Sequence, residues 1–392
     1  MLSLTHSEDN SVPRRRIAII GARGVGNYGG FETLVSELAP RLADMGYEVY
    51  CSHRRGENGV GPEEYKGAKL VYFPYRFPRS HRLARIFEVL YDWYFLIYAS
   101  FVLRCGIIYC LGIASGPVLI LARLSGSKTV VNLDGLEWKR DKFKMADKIY
   151  IRLAFLTSYV GADRLILDNR NIASFIPERT KDKSVYIPYG VVSRDCPAWN
   201  PSVIGEYLKS SEARIAPNSY WLVVARLEPD NNVHTAVRAY AKSRDLNPLV
   251  IVGSFSVPSY EDTVRSLVKT LPEGKAVYFL GSILNQDHLS MLRCHCIAYV
   301  HGHSVGGTNP SLLEAMSFKN TIIAHDNVFN RDVTEGFALF FKGVEDLAGA
   351  MDLVEQHRGD YIDLGARVYE ITRARFRWDE VASSYDALFR QL

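Results

Sequence analysis

His301-Gly302-His303-Ser304-Val305-Gly306-Gly307-Thr308-Asn309-Pro310-Ser311-Leu312-Leu313-Glu314-Ala315-Met316 is the stretch whose reading decides the fold. The apolar run 297–300 before it has the length and composition of a buried parallel strand. Glycines then turn the chain, and Pro310, a residue favoured at a first helical turn, starts a helix. Outward in both directions the same strand, turn and helix unit recurs. Strand-like runs fall at 220–225, 248–252, 276–280, 297–300, 321–324 and 337–341. Before a proline-rich stretch (Pro197, Pro201, Pro217) an earlier set falls at 16–20, 47–51, 69–73, 107–111, 128–132, 164–167 and 184–188. This alternation predicts two Rossmann-like, doubly wound parallel-sheet α/β domains. The expected boundaries are a disordered lead at 1–13, a first domain at 14–190 and a second at 191–375, with the junction near Ile187-Pro188-Tyr189-Gly190. A cleft onto which the carboxyl ends of both strand sets face is the expected ligand site.

The chain has 392 residues, 47% hydrophobic and 23% charged, which excludes disorder, collagen and a small disulfide scaffold. Its formal charge of +4 hides an asymmetry. Basic side chains outnumber acidic ones 27 to 19 in residues 1–190 and are outnumbered 20 to 24 in the rest. An anionic partner is therefore expected for the first half alone. Six scattered cysteines (Cys51, Cys105, Cys110, Cys196, Cys294, Cys296) and no secretory pattern predict a reducing, cytoplasmic setting. Cys294-His295-Cys296 reads as buried or strand-edge side chains, with a metal as the competing reading and no second ligand pair at zinc spacing.

Residues 83–124 depart from the rhythm. Trp93 to Leu103 is a continuous apolar, aromatic run stopped by Asp92 and Arg104. That is about half of the roughly 20 residues a span needs. A buried helix is one reading. The other is an apolar face dipping into a membrane interface, which Arg76, Arg79, Arg82, Arg85, Arg104 and Arg123 favour because anionic lipid attracts cations. The arginines interleave with apolar residues, and no nucleic-acid-binding module is recognisable.

After the first strand, Gly21-Ala22-Arg23-Gly24-Val25-Gly26-Asn27-Tyr28-Gly29-Gly30-Phe31-Glu32 contains the letters of the dinucleotide fingerprint. A nicotinamide site also wants a carboxylate about 20 residues on, where this chain has Ser52-His53-Arg54-Arg55. The loop is expected to line the cleft instead. In the second half, Arg226 closes a strand ahead of Leu227-Glu228-Pro229-Asp230-Asn231, and a guanidinium there suits a diphosphate. Gly253 follows the next strand. The amides of Gly306, Gly307, Thr308, Asn309 and Ser311 open onto a helix start, an anion site, with Glu314 one turn further for a ribose hydroxyl.

On these residues the chain resembles the retaining, family 4 type of GT-B glycosyltransferases across residues 14–392. The resemblance rests on Gly29-Gly30, Ile187-Pro188-Tyr189-Gly190-Val191, Arg226-Leu227-Glu228-Pro229 and Glu314-Ala315-Met316. Phe376-Arg377-Trp378-Asp379-Glu380-Val381-Ala382 is similar to the final helix that in such enzymes returns to the first domain, here 376–392. Tyr28-Gly29-Gly30-Phe31-Glu32-Thr33, Asp134-Gly135-Leu136-Glu137-Trp138-Lys139-Arg140 and Gly306-Gly307-Thr308-Asn309-Pro310 look like a bacterial rhamnosyltransferase subgroup of polysaccharide assembly. Two positions depart from the family pattern. Gly306 stands where a carboxylate is usual, and Asn231 where a lysine is usual.

The resemblance implies transfer with retention from a nucleotide sugar, dTDP-rhamnose first and a UDP- or GDP-sugar as the alternative, to a polyprenyl-diphosphate-linked saccharide. It implies no cofactor and no metal; no two aspartates stand two apart, so Arg226, the amides of the 306–311 turn and the helix dipole must meet the diphosphate charge, with Glu314 kept among the catalytic residues. Asp134, at a strand end, is either a catalytic carboxylate or a helix cap. Tyr28, Glu32, Glu137, Trp138, Lys139 and Arg140 are expected on the acceptor side, with a solvated basic face as the other account of the cations. A silent sugar-binding protein of the same fold is the reading of another class.

Overall fold

The computed structural model describes residues 15–26, 29–55, 61–78, 81–133, 145–208 and 215–392. The expected lead at 1–13 lies outside them. In chain order the first elements are β1 (Arg16–Ile20), α1 (Gly30–Asp44), β2 (Glu48–His53), β3 (Glu64–Tyr65), β4 (Ala68–Tyr72), α2 (His81–Phe101), β5 (Ile107–Leu111), α3 (Leu119–Leu124), β6 (Lys128–Asn132), α4 (Met145–Gly161), β7 (Arg164–Leu167) and β8 (Ser184–Tyr186). They form a sheet ordered β3-β4-β2-β1-β5-β6-β7-β8. β1 pairs in parallel with β2 on one side and β5 on the other, so the winding reverses at β1. All five residues of β5 are buried, as a strand covered on both faces requires.

A second series follows: α5 (Pro201–Tyr207), β9 (Trp221–Val224), α6 (Val233–Lys242), β10 (Leu249–Val252), α7 (Pro258–Lys269), β11 (Val277–Gly281), α8 (Gln286–Cys294), β12 (Ala298–His301), α9 (Pro310–Ser317), β13 (Ile322–His325), α10 (Val328–Thr334), β14 (Leu339–Phe341), α11 (Val344–Gln356), α12 (Arg358–Arg375) and α13 (Trp378–Arg390). Its sheet runs β11-β10-β9-β12-β13-β14 with parallel pairings throughout. Trp221, Val237, Leu249, Ile251, Val300, Ile323 and Met351 lie in one buried cluster beneath it. Every strand expected from the sequence is present in these two α/β sheets. The addition is β3, antiparallel to β4 across Lys66 and Gly67, both at positive φ as a two-residue hairpin turn demands.

By its contacts the chain forms two compact units. One holds the described residues up to Asn132 with Leu153–Leu165 and Tyr385–Leu392; the other holds the described residues within Leu133–Arg152 and Ile166–Ser384. In the first, the end of α13 is core: the Tyr109 and Tyr385 hydroxyls bond at 2.7 Å, and Arg15 donates to the Phe389 carbonyl at 2.8 Å. In the second, the 187–191 segment is held by Val191 N donating to Phe376 O at 2.7 Å, and Gly190 lies under the Trp378 ring. A Cβ on Gly190 would stand 2.4 Å from that ring. Gly190→Ala should therefore cost about 1–3 kcal/mol as overpacking. Urea unfolding should show a lower midpoint with an unchanged m-value.

Candidate functional site

The second unit reverses its winding between β9 and β12, and ligands of doubly wound sheets bind where that happens, at the carboxyl ends of the strands. Two loops leave those ends, 225–232 and 302–309. Arg226 is exposed at the first. Its backbone is fixed by two donors to its carbonyl, Glu228 N at 2.8 Å and Asn231 Nδ2 at 2.7 Å. Glu228 is buried, and its Oε1 accepts from Ser256 Oγ at 2.9 Å. Gly253 has φ +140°, and a Cβ there would lie 1.8 Å from the Ala225 carbonyl, so only glycine lets the chain leaving β10 pass the chain leaving β9.

The glycine turn is built against the end of β7. A Cβ on Gly307 would meet the Asp168 carboxylate at 2.0 Å, and Thr308 Oγ1 donates to the Asp168 carbonyl at 2.6 Å. Gly306 has φ +139°. Asn309 Oδ1 caps α9 by accepting from Ser311 N at 2.9 Å. Ser311 Oγ donates to the Val224 carbonyl at 2.9 Å, and Tyr299 hydroxyl reaches the same oxygen at 2.9 Å. The helix start is thereby held at the end of β9, beside the turn that carries Arg226.

Glu314 is ion-paired with Arg293 of α8, whose side chain is 1% exposed. The pair fixes Glu314 one turn inside α9 and leaves its carboxylate partly open. His301 and His325 end neighbouring strands. Burial, with the nearby His325 imidazole adding to it, pushes His301 down to about 3, and burial lowers His325 as well. His301 Nε2 and His325 Nδ1 are buried without a protein hydrogen bond.

Of the expected second-half residues, Arg226, Glu228, Asn231, Gly253, Gly306, Gly307, Thr308, Asn309, Ser311 and Glu314 all gather at this edge. Sequence reading missed Asp168, Arg293, His301 and His303. Arg293 looks from the sequence like an ordinary cation in the last turn of a helix, and nothing near it signals a partner 21 positions on.

In the first unit the glycine loop is built from within. Glu32 Oε1 accepts from Arg23 N at 3.0 Å, and a Cβ on Gly29 would fall 2.1 Å from that carboxylate. Gly30 opens α1 with open space around it. Ser52 Oγ accepts from Gly21 N at 3.2 Å. Arg23 pairs with Glu88 and with Asp92 at 2.8 Å, and Arg54 pairs with Glu88 while its guanidinium lies 3.6 Å from the Phe77 ring centre. Arg54 is thus committed to the protein, which accounts for a cation where a nicotinamide site wants a carboxylate. Tyr28, Asp134, Glu137, Trp138, Lys139 and Arg140 lie outside the described residues.

α2 has two faces. Tyr91, Asp92, Phe95, Leu96 and Ala99 are buried, whereas Leu83, Ile86, Leu90, Ile97 and Phe101 are exposed at helical spacing. Ile120 and Leu124 of α3, and Leu153, Leu156 and Val160 of α4, add exposed apolar surface; Leu124 is 74% exposed. Among the described residues no helix is long and apolar enough to cross a membrane. The sequence leaves all six cysteines as thiols, but Cys196 and Cys294 form a disulfide, with His295 beside them. Cys294 ends a helix rather than edging a strand, because α8 runs through it.

Residues 14–192 match a family described as Domain of unknown function (DUF1972), and residues 209–371 match Glycosyl transferases group 1. The chain is a glycosyltransferase. None of the curated proteins matches it in sequence. Its fold is that of solved GT-B structures. A sucrose-phosphate synthase from Thermosynechococcus elongatus is 19% identical with TM-score 0.77, over 96% of this chain and 99% of that one. HepE of Anabaena, in complex with UDP-glucose, is 15% identical with TM-score 0.72, over 96% and 100%. The catalytic domain of starch synthase IV from Arabidopsis thaliana, bound to ADP and acarbose, is 13% identical with TM-score 0.72, over 96% and 99%.

The neutral, buried His301 makes this glycosyltransferase acid-sensitive in a defined window. Its folded value of about 3 lies below the ordinary 6.5, so the unfolded chain takes up a proton that the folded chain refuses. The contribution is fully present above pH 6.5 and is lost as pH falls toward 3. Relative to His301→Gln, the wild-type protein should lose about 2 kcal/mol between pH 6.5 and about pH 4.5, measured by urea unfolding across pH.

Proposed function

We propose that this glycosyltransferase moves a sugar from a nucleoside diphosphate donor, dTDP-rhamnose first, to a lipid-linked saccharide at a membrane surface, with retention and without a metal. The observation that carries the donor side is the exposed Arg226 guanidinium on a turn fixed at the end of β9, beside the α9 start. There a cation and helix-start amides can hold a diphosphate as negative charge develops on it. Glu314, oriented by Arg293, would accept from a ribose hydroxyl. Gly29 and Gly30 end the first-unit loop at the start of α1 and belong to the donor side as the family resemblance expects, with Tyr28 and Glu32 on the acceptor side. Asp134 is the proposed carboxylate at the reacting centre, orienting the acceptor hydroxyl or taking its proton, and Glu137, Trp138, Lys139 and Arg140 are the proposed acceptor contacts.

The second reading, a UDP- or ADP-type donor, is favoured by the UDP-glucose and ADP bound in similar structures. Purified protein offered dTDP-, UDP-, ADP- and GDP-sugars with a polyprenyl-diphosphate saccharide separates these readings. Turnover with dTDP-rhamnose alone is expected, and Arg226→Ala should lower kcat/KM by about 100-fold, as loss of one charge-stabilising group does. Turnover with another nucleotide sugar only overturns the rhamnose reading. Nucleotide binding without any transfer favours a silent sugar-binding protein.

The exposed apolar faces of α2, α3 and α4, with Arg85, Arg104 and Arg123 exposed among them, support peripheral attachment to an anionic bilayer at the cytoplasmic face. Ile86→Ser, Leu90→Ser and Ile97→Ser together should lower co-sedimentation with anionic phosphatidylglycerol vesicles by about tenfold or more, since each removes exposed apolar area that the bilayer would bury. Binding of dTDP should be unchanged. Equal retention on vesicles overturns the attachment.

A further inference from the structure

The two loops of the donor site are fastened to each other, and one imidazole sits at the centre of the fastening. Asn232 Nδ2 donates to the Gly302 carbonyl at 2.8 Å, and Ser304 N and Oγ both reach the Asp230 carbonyl at 2.9 Å. A Cβ on Gly302 would stand 2.1 Å from the Asn231 carbonyl, so the loops touch through bare backbone. Between these contacts, Asn231 Oδ1 and His303 Nδ1 lie 2.9 Å apart, both residues buried.

The bond directions follow from what each atom can do. The Arg226 carbonyl only accepts, so the Asn231 amide nitrogen must face it, which it does at 2.7 Å. The Asn231 oxygen is then turned to His303 and can only accept, so His303 must carry a proton on Nδ1 and donate it. The main chain thus dictates the imidazole tautomer. His303 is itself anchored: its carbonyl accepts from Asn327 Nδ2 and Asn330 Nδ2, each at 3.0 Å, at the start of α10.

We infer that His303 is a positioning residue for Arg226, setting the guanidinium's base through Asn231. The inference rests on the reading of Arg226 as the diphosphate ligand. It also gives a physical account of Asn231, where the family resemblance expects a lysine. A lysine could donate to the Arg226 carbonyl but offers no oxygen to accept the His303 proton, so amide and imidazole belong together.

The test is calorimetric titration of the full chain with dTDP and with UDP, for Arg226→Ala, His303→Ala, His303→Asn, His303→Gln and the double variant Arg226→Ala/His303→Ala. An Asn side-chain nitrogen stands about where Nδ1 stands, and a Gln nitrogen about where Nε2 stands. Arg226→Ala and His303→Ala should each weaken binding by about tenfold, in keeping with loss of a hydrogen bond that serves a charged group. His303→Asn should recover to within about twofold and His303→Gln should not, and the double variant should bind no worse than Arg226→Ala, since the two act as one unit. A merely structural role would not separate Asn from Gln. Additive losses, or recovery by Gln rather than Asn, overturn the inference in favour of direct contact through Nε2. Binding unchanged in His303→Ala while Arg226→Ala loses it also overturns it. Binding unchanged in Arg226→Ala instead overturns the donor-site reading on which it rests.

Discussion

The Val224 carbonyl, the last of β9, receives hydroxyls from both Tyr299 and Ser311 at 2.9 Å. A strand end is where main-chain acceptors run out of ladder partners. Here the missing donors come from the adjacent strand β12 and from the first turn of the helix that follows it. This shared oxygen keeps the start of α9 from drifting away from the turn that carries Arg226. The two sides of the donor site are therefore referenced to a single atom as well as to each other.

The β elements were legible because buried parallel strands need unbroken apolar runs, and the chain supplies one at each place. The hairpin strand β3 was not, since two residues carry no periodicity. Glycines were read as turns and as lining for a ligand site, but the protein groups they pack against could not be read. Gly253 faces a carbonyl from another strand and Gly307 an aspartate about 140 positions away, and neither partner carries a local signal. Polar residues show the same division. Thr308, Asn309 and Ser311 lie at this edge, yet their side chains are occupied with backbone groups, and the Ser311 amide is itself taken up by the Asn309 cap. Arg293 and His303 act through tertiary partners alone, which no spacing rule reveals.

The helix in the departing segment 83–124 has two faces that hydropathy could not separate. Its apolar run is continuous in sequence but wraps the whole circumference of α2, so half of it builds core and half faces outward. The inward face also carries Asp92 and the side chains that grip Arg23 of the glycine loop. The aromatic layer around Phe73, Phe77, Tyr91 and Phe95 sits behind that grip.

The Cys196–Cys294 bond closes a loop of chain 98 residues in sequence separation, containing β9, β10, β11 and most of α8. On the chain-entropy account such a closure removes about 4–5 kcal/mol worth of freedom from the unfolded ensemble. That sum acts where no native contact exists, on the denatured chain. Oxidation state thus sets how far the half of the second sheet bearing Arg226 can expand when it opens. The folded geometry of the site can stay the same while its stability against unfolding changes with the thiol chemistry of the surroundings.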